Sequence, residues 1–209
     1  FAMGIGIGMI RHMRDWDRWV LPLAVVTFLA VAAPLVIGDW QNGAKNWIRF
    51  GSGGPSVQPS EFGKLSLIFI LAAQFSNRPR FRKCIPAIAF AAALCGLLLV
   101  ERDLGALLLY FLTTVMMFYA ATSNLPITLG GLGMGVGGAV AAYNLFPYVA
   151  KRFEMFRNPW SDPLDSGWQI IQALIAIGSG GMFGMGLGLG YPRNIPLYHS
   201  DFIFAAISE

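Results

Sequence analysis

The sequence predicts an all-α integral membrane protein, a polytopic helical bundle, and three observations predict it. Of the 209 residues, 56% are hydrophobic and 12% charged, whereas a soluble domain carries about 25% charged residues. The apolar residues gather into runs close to the roughly 20 residues that cross a bilayer. The charges fall between these runs and divide unequally between alternate loops, as orientation in a membrane requires. One transmembrane domain, residues 1–209, fits the length. It is expected to be truncated, because it begins at Phe1 inside one apolar segment and stops at Glu209 inside another. With such a start, the lack of a signal peptide carries no information.

The elements follow in order. Residues 1–10 read as the tail of a span, with Gly4 and Gly8 spaced for close helix packing. Further spans are expected at about 20–38, 60–75, 85–100, 104–121 and 126–146, and another begins at 201–209. Pro59-Ser60-Glu61 suits a helix entry, with Ser60 as the expected N-cap and Glu61 in the first turn.

If segment 11–18 is cytoplasmic, alternation places 77–83 and 122–125 on the same side. Those segments hold Arg11, Arg14, Arg18, Arg78, Arg80, Arg82 and Lys83 against Asp15 and Asp17. The opposite side holds the remaining eight basic and nine acidic residues. The positive-inside rule therefore puts the second set outside. It also explains the net charge of +4 without a nucleic-acid partner, including the basic run from Asn77 to Lys83.

Three features then share the outer face: the loop 39–59 running into Glu61 and Lys64, the short Glu101-Arg102-Asp103, and a large loop at about 148–200. Loops longer than about 12–15 residues are usually functional or disordered. This one is too rich in Trp, Ile, Leu, Phe and Gly for a disordered tether. It reads as an active-site loop against the membrane, carrying Asp162 and Asp165 with Lys151, Arg152, Arg157 and Arg193. Charged groups near spans face cavities or one another. Singly, Glu61, Lys64, Glu101, Arg102 and Asp103 are as well explained by helix-locking ion pairs. Together they place both signs of charge on one face, which suits a charged substrate.

Other features have plainer explanations. Cys84 and Cys95 show neither C-x-x-C nor Cys/His spacing, so neither a metal site nor a disulfide is inferred. The glycines from Gly178 to Gly190 do not match a phosphate loop. They suit tight turns and close backbone approach. Gly133, Gly135 and Gly138 match a dinucleotide spacing inside an expected span, where helix packing is the better account. His12 falls at the cytoplasmic interface. His199 lies outside, as a helix-entry hydrogen bonder or a substrate ligand. Trp40, Trp47, Trp160 and Trp168 suit an outer aromatic belt.

Several segments resemble one family. Gly43-Ala44-Lys45-Asn46-Trp47-Ile48 with Gln58-Pro59-Ser60-Glu61-Phe62 is similar to the outer loop and helix start of the SEDS family (RodA, FtsW, SpoVE). So are Arg102-Asp103-Leu104-Gly105-Ala106-Leu107-Leu108 and Asn158-Pro159-Trp160-Ser161-Asp162-Pro163, the latter continuing through Gly167-Trp168-Gln169 to Gly181. His199-Ser200-Asp201-Phe202-Ile203-Phe204-Ala205 completes the set, in order along nearly the whole chain. Glu101-Arg102-Asp103 looks more like the RodA branch.

The resemblance implies a ten-span, SEDS-type helical bundle in the cytoplasmic membrane, of which this chain covers the end of span 2 to the start of span 8. It implies a peptidoglycan glycosyltransferase that polymerises lipid II outside the membrane, in cell shape, elongation or division. A class B penicillin-binding protein and membrane lipids would be its partners. The family's essential loop aspartate falls on Asp162. Asp165 stands where many members have Gly, which leaves open whether it assists, and Trp168 stands where Tyr is common.

Chemically, Asp162 is expected as general base for a sugar hydroxyl, with inversion at the donor carbon. Arg49, Lys64 and Arg102, backed by Arg157 and Arg193, are expected to stabilise the leaving pyrophosphate. Glu61, Asp103, Gln169 and His199 complete the expected substrate-binding set. No cofactor is required, and a divalent cation bridging Asp162 and pyrophosphate is left open. The rival readings are a lipid II flippase and a non-catalytic scaffold for the penicillin-binding protein. A flippase needs a polar path through the bilayer, whereas the charges here collect at one end.

Overall fold

The structure is a computed structural model and describes residues 16–41, 44–49, 51, 54, 56–76, 81–165, 167–186, 189–196, 198–199 and 201–209. The expected span tail with Gly4 and Gly8, His12, and residues 77–80 with Arg78 and Arg80 lie outside the described residues. Eight α-helices are described: α1 (Trp16–Ile37), α2 (Pro59–Phe75), α3 (Phe81–Val100), α4 (Leu104–Thr122), α5 (Leu125–Leu145), α6 (Pro147–Arg157), α7 (Trp168–Gly180) and α8 (Ile203–Ser208). Strands β1 (Asp39–Gln41), β2 (Ala44–Arg49) and β3 (Ser56–Val57) lie between α1 and α2.

The helices match the expected spans to within a few residues. Four of the described helices, α1, α3, α4 and α5, are long and apolar enough to cross a membrane. Helix α2 has 17 residues and carries Glu61 in its first turn. Exposed side chains such as Leu21 at 72%, Val36 at 83% and Met134 at 81% make sense where lipid rather than water bathes the helix.

Ser60 is not the N-cap expected of it. Gln58 occupies that position and Pro59 takes the first helical turn. Proline suits that turn because its fixed φ is helical and its missing N–H would be unsatisfied there anyway. Ser60 is thereby drawn inside the helix, where its Oγ is buried and has no hydrogen-bond partner among the described residues.

The chain forms two compact units, Phe1–Gly138 and Ala139–Glu209. The core of the first is built on helical periodicity. Leu67, Leu71 and Phe75 recur every four residues on α2; Ala87, Ala91, Leu94 and Leu98 recur at four and three on α3; Ala106, Tyr110 and Phe118 share one face of α4. Small alanines on α3 let backbones approach, which favours helix association where no hydrophobic drive exists. Phe118 packs edge-on against Phe75 and Phe81, with ring centroids 6.3 and 6.1 Å apart. Gly63 permits a close contact, since a Cβ there would strike the Tyr110 hydroxyl. That hydroxyl donates to the Ser60 carbonyl at 2.8 Å.

Helix α4 closes on Ser123 in the left-handed region, at φ 50°. Asn124 then opens α5, its Oδ1 accepting from the Ile127 N–H at 3.2 Å. Helix α5 buries only Thr128.

The segment 39–59, expected as an outer loop, holds a three-stranded antiparallel sheet in the order β1-β2-β3. Asp39 pairs with Trp47, and Ile48 with Val57. Alternation along β2 turns Ala44 and Asn46 inward, at 7% and 8% exposure.

The unit Ala139–Glu209 contains more helix than a loop reading allows. Helix α6 is amphipathic, and α7 is an apolar helix of 13 residues. At that length α7 falls short of a crossing. Its Ala173 and Ala176 pack with Ile195 and Ala205.

Candidate functional site

The expected site residues fall into two groups, one in each unit. The first gathers where the α3–α4 turn meets the sheet. Helix α3 ends with Arg102 in the left-handed region at φ 64°. The Asp103 N–H bonds to the Leu98 carbonyl at 3.0 Å, and the Arg102 N–H to the Leu99 carbonyl at 3.2 Å. This paired arrangement closes a helix in a Schellman turn, a position where glycine usually stands. An L-residue there costs about 1–2 kcal/mol. The turn sets Asp103 as N-cap of α4, its Oδ1 accepting from the Ala106 N–H at 3.0 Å.

The other oxygen of Asp103 reaches across the chain. Oδ2 accepts from Asn46 Nδ2 at 2.9 Å and from Gln58 Nε2 at 2.6 Å. One carboxylate thus ties β2, the residue before α2, and the start of α4. Lys45 adds two bonds: its N–H donates to the Glu101 carbonyl at 3.2 Å, and its Nζ to the Leu35 carbonyl at 2.7 Å. Asn46 and Gln58 are partners of Asp103 to which the sequence analysis assigned no role. Their partner lies 57 and 45 residues away, and no local pattern announces such a pairing.

Glu101 is 1% exposed. Its Oε1 has no hydrogen-bond partner among the described residues. Burial, and secondarily the Asp103 carboxylate, push its pKa up to about 8, so it favours the protonated form at neutral pH. Glu61 and Lys64 pair one turn apart at 2.7 Å, with side chains 56% and 28% exposed. Arg49 is exposed at the end of β2, opposite Ser56. The structure therefore assembles Asp103, Glu101 and the sheet directly, with Glu61 and Lys64 on the helix that Gln58 caps.

The second group lies in Ala139–Glu209. Helix α6 ends at Arg157, and Asn158 leads into a 3-10 turn, Pro159–Ser161, that delivers Asp162. Asn158 fixes this turn: its carbonyl accepts from the Ser161 N–H at 3.2 Å and from Ser161 Oγ at 2.8 Å. The Asp162 carbonyl accepts from the Gly167 N–H at 2.9 Å. Gly167 allows this closure, because a Cβ there would strike the Pro159 carbonyl oxygen and come within 2.8 Å of the Asp162 oxygen. Asp162 is half-buried, whereas Asp165 is exposed and stands 3.8 Å from Lys151 Nζ. Gln169 is exposed in the first turn of α7, and Arg193 is exposed in a short 3-10 helix. The exposed His199 ring meets Tyr198 edge-on at 5.4 Å. Among the described residues, no three His, Cys, Asp or Glu side chains are grouped as a metal ion would need.

Four apolar helices of membrane-crossing length, with polar groups gathered at helix ends, define a polytopic membrane protein. The FtsW/RodA/SpoVE family model, described as "Cell cycle protein", matches residues 2–209, and the chain belongs to that family. The chain is 37% identical over its whole length to the peptidoglycan glycosyltransferase RodA of Mycobacterium tuberculosis, covering 48% of that protein. It is also 37% identical to the stage V sporulation protein E of Bacillus subtilis, over 93% of this chain and 55% of that protein. The chain thus spans about half the length of these relatives. Among solved structures it resembles a chain described under "Structural coordination of polymerization and crosslinking by a peptidoglycan synthase complex". That likeness has a TM-score of 0.65 and 30% identity, and covers all of this chain and 60% of the other.

Proposed function

We propose that the parent protein is a peptidoglycan glycosyltransferase that polymerises lipid II at the outer face of the cytoplasmic membrane. The observation that carries this reading is Asp162, held half-buried by the Pro159–Ser161 turn and the Gly167 closure, in a chain whose relatives are named for that activity. An acceptor sugar hydroxyl is a poor nucleophile while protonated. Asp162 takes its proton as the oxygen attacks the donor's anomeric carbon. The new C–O bond forms as the bond to the lipid pyrophosphate breaks, and the pyrophosphate leaves with the electron pair. Attack from the opposite face inverts the carbon.

Developing charge on the leaving group needs preorganised donors. Arg49, Lys64 and Arg102 supply them, with Arg157 and Arg193 in support. Glu61, Gln169 and His199 contact substrate. Asp103 serves by fixing the sheet against α4, its oxygens being committed to Asn46, Gln58 and the Ala106 N–H. The partner is a class B penicillin-binding protein that cross-links the product. A divalent cation, if Asp162 held one, would supply positive charge to the leaving group, and chelation would then abolish polymer.

The test is strand formation from purified lipid II by the full-length protein with its partner, comparing wild type with Asp162→Asn. Polymer from wild type alone supports the reading. Equal polymer from both overturns Asp162 as base. Lipid transport without polymer from either favours the flippase.

A further inference from the structure

Helix α6 begins at Pro147, two residues after α5 ends at Leu145. Helix α5 is long and apolar enough to cross the membrane, so α6 starts where the chain leaves the bilayer. Its side chains sort by helical periodicity. Met155 is buried and marks the face turned to the protein. Val149, Phe153 and Phe156 recur at i, i+4 and i+7 and form a separate apolar stripe. Phe153 and Phe156 are 56% and 81% exposed. Arg152 and Arg157, both exposed, fall on the two edges of that stripe, and Lys151 and Glu154 stand on the opposite side.

Two observations say what covers the stripe. The first is continuity. Phe153 meets Tyr143 of α5 edge-to-face at 5.8 Å, and Tyr143 and Leu145 are themselves exposed on a helix that buries only Thr128. The stripe thus extends the surface of α5 that lipid bathes. Trp160, exposed in the 3-10 turn that follows, adds a residue suited to the membrane interface.

The second is charge. The outer side as a whole carries eight basic against nine acidic residues, yet α6 carries Lys151, Arg152 and Arg157 against Glu154 alone. Basic residues directly beside a span are the pattern of the cytoplasmic side, so their place here calls for an anionic partner. Arg152 forms no ion pair among the described residues. A guanidinium at the edge of an apolar stripe can lay its stem along the acyl boundary and its planar head on phosphate oxygens.

We propose that α6 is an interfacial helix that binds anionic phospholipid, with its apolar stripe in the acyl boundary and Arg152 on a headgroup phosphate. Lys151 and Arg157 add to the positive field. The helix runs straight into the Asp162 turn: the Asn158 N–H donates to the Glu154 carbonyl at 2.7 Å, and the Asn158 carbonyl holds the turn. Membrane charge therefore sets how well that turn is ordered, whatever chemistry Asp162 performs.

The test places the full-length protein with its partner in nanodiscs of phosphatidylcholine, with and without phosphatidylglycerol, and reads amide hydrogen exchange. Amides of α6 should exchange about fivefold slower with phosphatidylglycerol present, roughly the worth of one basic residue at an anionic surface. High salt should remove the difference. Arg152→Gln should abolish most of it and leave exchange in phosphatidylcholine unchanged. Phe156→Ser should speed exchange in both compositions. Both side chains are exposed, and unchanged exchange in α3 and α4 would show that each variant folds. Equal exchange in both compositions overturns the headgroup contact. So does equal protection by inorganic pyrophosphate in phosphatidylcholine alone, which would assign Arg152 to a free phosphate. No effect of Phe156→Ser overturns the apolar seat, and protection that vanishes when the partner is left out would give the face to a protein instead. No outcome depends on what Asp162 does.

Discussion

The sheet end of the first unit and the Asp162 loop of the second are held by opposite kinds of bond. At the sheet end, Asp103 gathers side chains from 45 and 57 residues away. In the loop, the bonds that shape the turn are backbone contacts between near neighbours: Asn158 to Glu154, Ser161 to Asn158, Gly167 to Asp162 and Trp168 to Asp165. Long-range clamps resist local opening, whereas short-range loop bonds open at little cost. The difference suits a division of labour. The clamp holds a fixed platform of charge, and the loop keeps the adaptability expected where function is carried.

The largest expected effect breaks the loop's side of this comparison. Asp162→Asn should lower polymerisation by about 10²–10⁴-fold, the usual worth of a general base, with little change in thermal stability. Gly167→Ala should come next, because the added Cβ collides with the Pro159 carbonyl. A loss of about tenfold in polymer rate is expected, and the melting transition of the sheet end should stay in place.

On the clamp's side, Asp103→Ala should reverse the pattern. It strands Asn46 and Gln58 and uncaps α4, and hydrogen bonds to charged groups are each worth about 1.5–3 kcal/mol. A clear drop in melting temperature is expected, and failure to see one would remove the clamp. Arg102→Gly sharpens the comparison by splitting its two readouts. Relief of the left-handed strain should raise stability by about 1 kcal/mol, while loss of the guanidinium should lower polymer yield.

Glu101 gives a pH signature instead of an effect on rate. Its folded pKa, about 8, lies above the unfolded value of 4.5. The folded state therefore binds the proton more tightly, and its contribution is complete below pH 4.5 and lost as pH rises through 8. Wild type should melt progressively lower across that window, and Glu101→Gln should flatten the dependence. An unchanged slope in the variant would mean that another group sets it.

The spans were legible because long apolar runs need no partner information. The β-sheet was not, since strands of three, six and two residues lie in a loop where Asp103 supplies distant support. Ser60 misled because the capping preference was weighed without the stronger claim of Pro59 on the first turn. Helices α6 and α7 were hidden inside a segment read as loop, one being polar and the other too short to cross. Asp162 is a candidate only through the resemblance of its motif, and its fixing by Asn158 and Gly167 is set by contacts that no motif displays.

The account's central claim is that the carboxylate of Asp162 performs the chemistry. The most direct measurement is glycan-strand formation from purified lipid II by the full-length protein and its partner, with Asp162→Asn shown to fold and to bind that partner. The account predicts polymer from wild type and at least a hundredfold less from the variant. Equal polymer from both would contradict it and shift the search to Asp165.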